Sequence, residues 1–103
     1  MTVERLDAAA VHAALADLPG WSRVGEELRA SWRFRSFAAA VAFTAALAEL
    51  AEAQQHHPEW RVAYRRVDVA TTTHDAGGLS RRDVELARAV SELARHADAE
   101  PAS

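Results

Sequence analysis

The sequence predicts an α+β fold in which a four-stranded antiparallel sheet carries helices packed on one face. Two observations lead to this prediction. Segments with helical spacing of apolar residues alternate with pairs of short β-type segments, and each pair is joined by a connection short enough for a hairpin. The predicted order is helix, two strands, helix, two strands, helix. Hairpins give antiparallel pairing, since parallel strands need a long crossover.

Composition limits the classes of protein to consider. The 103 residues are expected to form a single domain over residues 1–103. The absence of cysteine excludes disulfides, thiolate metal sites and a cysteine nucleophile. The net charge is -3, and the 12 basic residues, all arginine, are interleaved with 15 acids. This pattern lacks the basic patch expected for nucleic-acid binding.

The first residues of the chain and its longest uncharged stretch give an indication of cellular location. Residues 1–7 carry acids and no apolar core, so they do not resemble a secretory signal. The longest uncharged stretch, residues 37–48, is too short to span a bilayer. A cytoplasmic protein is therefore expected.

The first half of the chain contains two helices and one hairpin. Asp7 is positioned to cap a first helix that Pro19-Gly20 ends. Residues 21–24 and 28–34 alternate as two strands around a turn at Gly25. Ser36 is a good cap for the second helix, predicted from Phe37 to about Gln55. Its apolar stripe is expected to contain the larger side chains Phe37, Val41, Leu47 and Leu50.

The second half repeats this pattern. Residues 60–64 and 67–73 read as strands three and four, with a turn at residues 65–66 and a loop containing Gly77-Gly78 afterwards. The last helix begins after Ser80, and Asp83 stands at the third position, as in a capping box. Residues 98–103 are expected to form a frayed tail.

Three of the five histidines stand where chemistry is expected. His56 and His57 are adjacent at a helix end, and His74 follows the fourth strand. Helix ends and strand ends commonly form the rim of a cleft, so all three histidines are expected there. Glu52 precedes His56 by four residues and is expected to share its helix face. Imidazoles combined with carboxylates can supply a general acid and a general base. His12 and His96 are expected on helix surfaces.

Structural alternatives exist for each of these residues. Adjacent histidines before a proline can simply form a polar helix end, Asp83 can act only as a cap, and the threonines at 71–73 are explained by strand propensity. Trp60 can belong to the core or can wall a flat heterocycle. Zinc is a rival ligand for three histidines, although consecutive side chains such as His56 and His57 diverge in regular structure.

The complete motif is more specific than its parts. The string E-x3-HHP-x5-Y-x9-H-x8-D runs from Glu52 to Asp83 and ends in GLS-x2-D. It resembles the pterin-4a-carbinolamine dehydratase family, and the resemblance extends from about residue 7 to residue 97. It implies dehydration of a 4a-hydroxytetrahydropterin to a quinonoid dihydropterin, without a metal or organic cofactor, by a homodimer or homotetramer.

The resemblance also implies roles for single residues. His56 and His74 match the principal acid-base histidines, and His57 matches the histidine that helps to hold the pterin. Positions matching the substrate site are Glu52, Gln55, Trp60, Thr73, Arg82 and Asp83. Gln55 departs from the acid or asparagine frequent there, which puts one binding detail in doubt. Some relatives act instead as interaction or assembly factors, so a non-catalytic role on the same fold is the alternative.

Overall fold

The computed structural model describes residues 3–102 and confirms the α+β class. All seven predicted helices and strands are present, with small shifts at their ends. The elements are α1 (Ala8–Leu15), β1 (Ser22–Val24), β2 (Glu27–Arg33), α2 (Phe37–Gln54), β3 (Glu59–Ala63), β4 (Arg66–Thr71), a 3-10 turn (His74–Ala76), α3 (Arg81–His96) and β5 (Glu100–Ala102).

The sheet is antiparallel throughout and contains a fifth, short strand. Its order is β1-β2-β4-β3, and β5 pairs with residues 31–33 of β2. The prediction of a frayed tail was therefore wrong for residues 100–102, while residue 103 lies outside the described residues. The physical reason is that β1 covers only residues 27–29 of this edge. The rest of the edge presents unpaired backbone groups, which a returning chain can satisfy.

One face of the sheet forms the core. In β2 every second residue is buried, and the buried set continues into β4 as Val67, Val69 and Thr71. The helices cover this face, whereas the opposite face carries polar side chains such as Ser31 and Asp68. Aromatic rings fill the layer between sheet and helices, with 4.8 Å between the ring centres of Phe34 and Phe43.

Helix α2 buries a narrow face that combines small and large side chains. The hydroxyl oxygen of Ser36 accepts a hydrogen bond from the amide of Ala39 at 3.0 Å, as expected for the cap. The predicted stripe was wrong at two positions, because Phe37 and Val41 are 55% and 43% exposed. Alanines on the buried face allow the helix to approach the sheet closely, and that face consists of Ala40, Phe43, Leu47 and Ala51.

The length and composition of α2 also meet the criteria for a membrane-spanning helix. Its mean hydropathy is 1.2 over 18 residues. Core helices satisfy the same criteria, and α2 contacts both α3 and β4. The property is therefore weak evidence for a membrane span.

Candidate active site

A cleft opens at one end of the sheet, where the end of α2, the segment after β4 and the start of α3 meet. Its volume is about 290 Å³. All three histidines singled out by the sequence line it. The complete lining is Gln55, His56, His57, Thr72, Thr73, His74, Asp75 and Arg82.

The end of α2 sends the two adjacent histidines in different directions. Gln55 adopts the left-handed conformation with φ 50°, and the amide of His56 donates to the carbonyl oxygen of Ala51 at 3.1 Å. This bond closes the helix in the manner of a Schellman motif, although the left-handed position is usually glycine. After this turn, His56 lies inward and is 8% exposed. The side chain of His57 stays outside and is 65% exposed.

A fully buried carboxylate anchors His56. The Nε2 atom of His56 lies 2.7 Å from Oδ1 of Asp83, and the hydroxyl group of Thr71 donates to the same oxygen at 2.6 Å. The second carboxylate oxygen accepts from the hydroxyl of Thr73 at 2.7 Å and from the amide of Ser80 at 2.9 Å. Asp83 is 0% exposed, so it acts on the cleft through His56 and not by touching a ligand.

The start of α3 fixes this carboxylate in place. Ser80 is the N-cap and Asp83 is the third helical residue, which confirms the predicted capping box. An acid at a helix N-terminus is also stabilised by the helix dipole. The same side chain therefore caps the helix and holds a histidine of the cleft.

Glu52 contacts a different histidine from the one expected. Its Oε1 atom lies 2.8 Å from Nε2 of His57, and both side chains are exposed. The expectation that Glu52 and His56 share a helix face fails because regular helix ends at residue 54, before His56. Solvent screens the Glu52–His57 pair, so it contributes little to stability.

His74 lies in the 3-10 turn on the opposite side of the cleft. The loop that carries it is closed by two backbone hydrogen bonds between Thr73 and Gly78. Gly78 packs directly against the carboxylate of Glu26. Hydrogen bonding to Arg5 lowers the pKa of Glu26, and burial opposes this shift only partly. The 73–78 loop therefore packs against the ion pair of Arg5 and Glu26, which belongs to the first half of the chain.

One predicted site residue, Trp60, lies elsewhere. Trp60 is 37% exposed and lines a separate groove of about 450 Å³ with Glu59, Arg61 and Asp68. Tyr64, the aromatic residue of the motif, is 77% exposed and occupies the turn between β3 and β4 with φ 56°. The single chain thus brings neither ring to the histidine cleft.

The histidines do not converge on one point. Across residues 3–102, no group of three or more histidine, aspartate or glutamate side chains has the arrangement needed to hold a metal ion. His56 and His57 each face a carboxylate of their own. This arrangement suits proton transfer by separate imidazoles.

Sequence reasoning gave no role to two polar residues of the site. Thr71 was attributed to strand propensity alone, and Ser80 only to capping. Alternation in β4 carried a usable signal, because Thr71 shares the buried face with Val67 and Val69. A hydroxyl on a buried face needs a hydrogen-bond partner, and Asp83 is that partner.

Comparisons with known proteins agree on one family. The family model described as pterin 4 alpha carbinolamine dehydratase matches residues 4–93. A protein of Thermosynechococcus vestitus, provisionally named pterin-4-alpha-carbinolamine dehydratase, is 43% identical over 91 residues, covering 88% of this chain and 96% of its own. A relative with the same provisional name from Nitrobacter winogradskyi is 47% identical over 95 residues, covering 90% and 94%.

Two solved structures resemble the fold. The crystal structure of a transcriptional coactivator/pterin dehydratase from Brucella melitensis matches with TM-score 0.84 and 39% identity, covering 88% of this chain and 99% of that one. A pterin dehydratase-like protein identified as a RuBisCO assembly factor in the alpha-carboxysome matches with TM-score 0.63 and 29% identity, covering 73% and 89%.

Proposed function

Because the chain belongs to the pterin-4-alpha-carbinolamine dehydratase family, we propose that it dehydrates a 4a-hydroxytetrahydropterin to the quinonoid dihydropterin. The observation that carries the proposal is the buried His56–Asp83 pair. It opens onto the same cleft as His57 and His74.

The chemistry needs one proton delivered and one removed. Hydroxide at C4a is a poor leaving group, so an imidazolium donates a proton to it. A neutral imidazole removes the proton from N5, and the electron pair of the N5–H bond forms the C4a=N5 double bond as water leaves. General acid-base assistance of this kind contributes about 10²–10⁴-fold. Separate histidines in one cleft can hold the two protonation states at once.

The remaining cleft residues are assigned to substrate binding. Gln55 and Arg82 offer an amide and a guanidinium at the rim, which suit the polar edge of a pterin ring. The hydroxyl of Thr73 already donates to Asp83, so its contribution passes through the network. Glu52 is assigned to orient His57. Trp60 remains a proposed binding residue without a contact to this cleft in the single chain.

The decisive test measures dehydration directly. An aromatic amino acid hydroxylase generates the 4a-hydroxytetrahydropterin in place, and its decay is followed with and without catalytic amounts of the protein. We expect a clear acceleration that a metal chelator does not reduce. If the chelator abolishes the acceleration and added zinc restores it, the reaction depends on a metal, and the proposal of catalysis by histidines alone is refuted. No acceleration from a folded sample would contradict the proposed activity.

A second candidate function is an interaction or assembly role on the same fold. It is favoured by the likeness to the RuBisCO assembly factor at 29% identity. The exposed side chains of Phe37 and Val41 on α2 also favour it. Pull-down from the source cell with wild type and with a Phe37→Ser/Val41→Ser variant tests this role. A partner lost only in the variant supports it, and the same variant should retain dehydration if catalysis is separate.

Self-association and compartment follow as lesser proposals. We propose a homodimer or homotetramer, because the exposed apolar side chains of α2 would gain from burial against a second copy. Light scattering after gel filtration measures the mass directly. A cytoplasmic location is also proposed, and fractionation of the source cell tests it.

A further inference from the structure

We propose that Thr71 is a positioning residue which, through Asp83, holds His56 with its ring proton on Nε2 and leaves Nδ1 to the cleft. The inference deepens the proposed function, and its rate measurement rests on that function. Its spectroscopic measurement does not, because the tautomer of His56 can be observed in the resting protein.

The tautomer follows from counting donors around one carboxylate. Asp83 receives hydrogen bonds from the Thr71 hydroxyl, the Thr73 hydroxyl and the Ser80 amide. Since the hydroxyl of Thr73 donates to Asp83, the 2.7 Å contact between Thr73 and Ser80 is donated by the hydroxyl of Ser80. These bonds are satisfied together when the carboxylate is ionised. The proton between Asp83 and His56 then belongs to Nε2 of His56.

The other ring nitrogen is the one that can react. Nδ1 of His56 has no hydrogen-bond partner within residues 3–102, and no buried side-chain nitrogen or oxygen of that range lacks one. Nδ1 is therefore in contact with the space of the cleft, although the residue as a whole is 92% covered. With the proton on Nε2, neutral His56 presents a lone pair there. It can accept the N5 proton of the substrate.

Thr71 is the donor whose role is least explained by the fold. Ser80 and Asp83 are needed to cap α3, and Thr73 helps to close the 73–78 loop. The Thr71 side chain caps no helix and closes no loop. A valine of similar shape would suit the buried face of β4, which also contains Val67 and Val69. Its hydroxyl binds the same carboxylate oxygen as His56. It therefore fixes the position of that oxygen and takes up part of its hydrogen-bonding capacity.

The first test is the tautomer in wild type. Two-dimensional ¹⁵N–¹H spectra of the imidazole rings distinguish a proton on Nε2 from one on Nδ1, and a His56→Gln spectrum assigns the signal. We expect the Nε2–H form for His56. A neutral His56 with its proton on Nδ1 would overturn the proposal without any reference to activity.

The second test compares two substitutions at one position. Thr71→Val keeps the shape and removes the hydroxyl, while Thr71→Ser keeps the hydroxyl. Thr44→Val is the matched control, because the hydroxyl of Thr44 donates only to a helix carbonyl, that of Val41. We expect Thr71→Val to lower kcat by roughly threefold to tenfold, as for one lost hydrogen bond, with KM changed by less than about twofold.

The pattern across variants separates positioning from plain stability. Thr71→Ser should restore most of the rate and the His56 ring signals, and Thr44→Val should leave both as in wild type. A Thr71→Val protein with wild-type kcat and wild-type ring signals would refute the inference. If Thr71→Val does not fold, Thr71→Ala removes the same hydroxyl and takes its place, and the wild-type tautomer measurement remains an independent test. Absence of dehydration in every protein would contradict the proposed function and leave the tautomer result standing.

Discussion

Replacing Asp83 by asparagine is the sharpest single perturbation of this molecule. The carboxylate accepts four hydrogen bonds at 2.6–2.9 Å, two on each oxygen, and is 0% exposed. Asparagine keeps the shape but turns one acceptor into a donor. With the NH₂ group in place of Oδ1, the Thr73 hydroxyl and the Ser80 amide keep their acceptor, but Nε2 of His56 and the Thr71 hydroxyl face a donor. His56 then has to move its ring proton to Nδ1 and the Thr71 hydroxyl has to turn and accept, whereas the Ser80 amide, which can only donate, excludes the opposite orientation.

The cost can be worked from these contacts. A hydrogen bond to a charged group is worth about 1.5–3 kcal/mol and a neutral one about 0.5–1.5 kcal/mol, so the two donors that keep an acceptor together lose about 2 kcal/mol. Loss of the negative charge at the N-terminus of α3 adds about 0.3–1 kcal/mol. The expected loss is therefore about 2–3 kcal/mol, a large share of the about 5–15 kcal/mol that stabilises a typical domain. The variant should still fold, with a Tm lower by roughly 10–20 °C.

Urea unfolding followed by tryptophan fluorescence measures this loss, since Trp21 and Trp32 are buried. Asp17→Asn is the control, because it removes a carboxylate that is exposed after α1 and should change stability by less than about 0.5 kcal/mol. Dehydration by Asp83→Asn should also fall at temperatures where the variant is folded. A variant within about 0.5 kcal/mol of wild type would refute the stabilising role assigned to the charged carboxylate.

Three further predictions concern other parts of the chain. His56→Ala and His74→Ala should each lower the dehydration rate by at least about 100-fold while circular dichroism stays unchanged; a wild-type rate in both would sink the proposed chemistry. Gly78→Ala should change stability by less than about 0.5 kcal/mol, because the new methyl group meets only the ends of the exposed Glu26 and Arg5 side chains, which can move aside; a loss above about 1 kcal/mol in urea unfolding would contradict this. Burial raises the pKa of Asp68, but hydrogen bonds from the Ser31 hydroxyl and a neighbouring arginine lower it more. The advantage of wild type over Asp68→Asn should therefore persist above about pH 4 and vanish as pH falls through the lowered pKa; an advantage independent of pH would disprove this.

Much of this protein is determined by short-range pattern in the sequence. Helical spacing, alternation and the caps at Asp7, Ser36 and Ser80 define the helices and strands, because these signals act within one turn or one hairpin. The histidine motif predicted the three cleft residues correctly as neighbours, since helix ends and strand ends meet at the same end of the sheet.

Tertiary structure decided what depends on contacts between distant segments. The pairing of β5 with β2 depends on an open sheet edge that no local pattern reveals. The buried face of α2 consists of Ala40, Phe43, Leu47 and Ala51, while Phe37 and Val41 lie outside it, because the direction from which the sheet and α3 pack decides which face of an apolar helix is covered. The partnership of Thr71 with Asp83 spans 12 residues of sequence and forms only when β4 meets α3. Local periodicity identifies which residues face the core, but packing alone determines which of them touch.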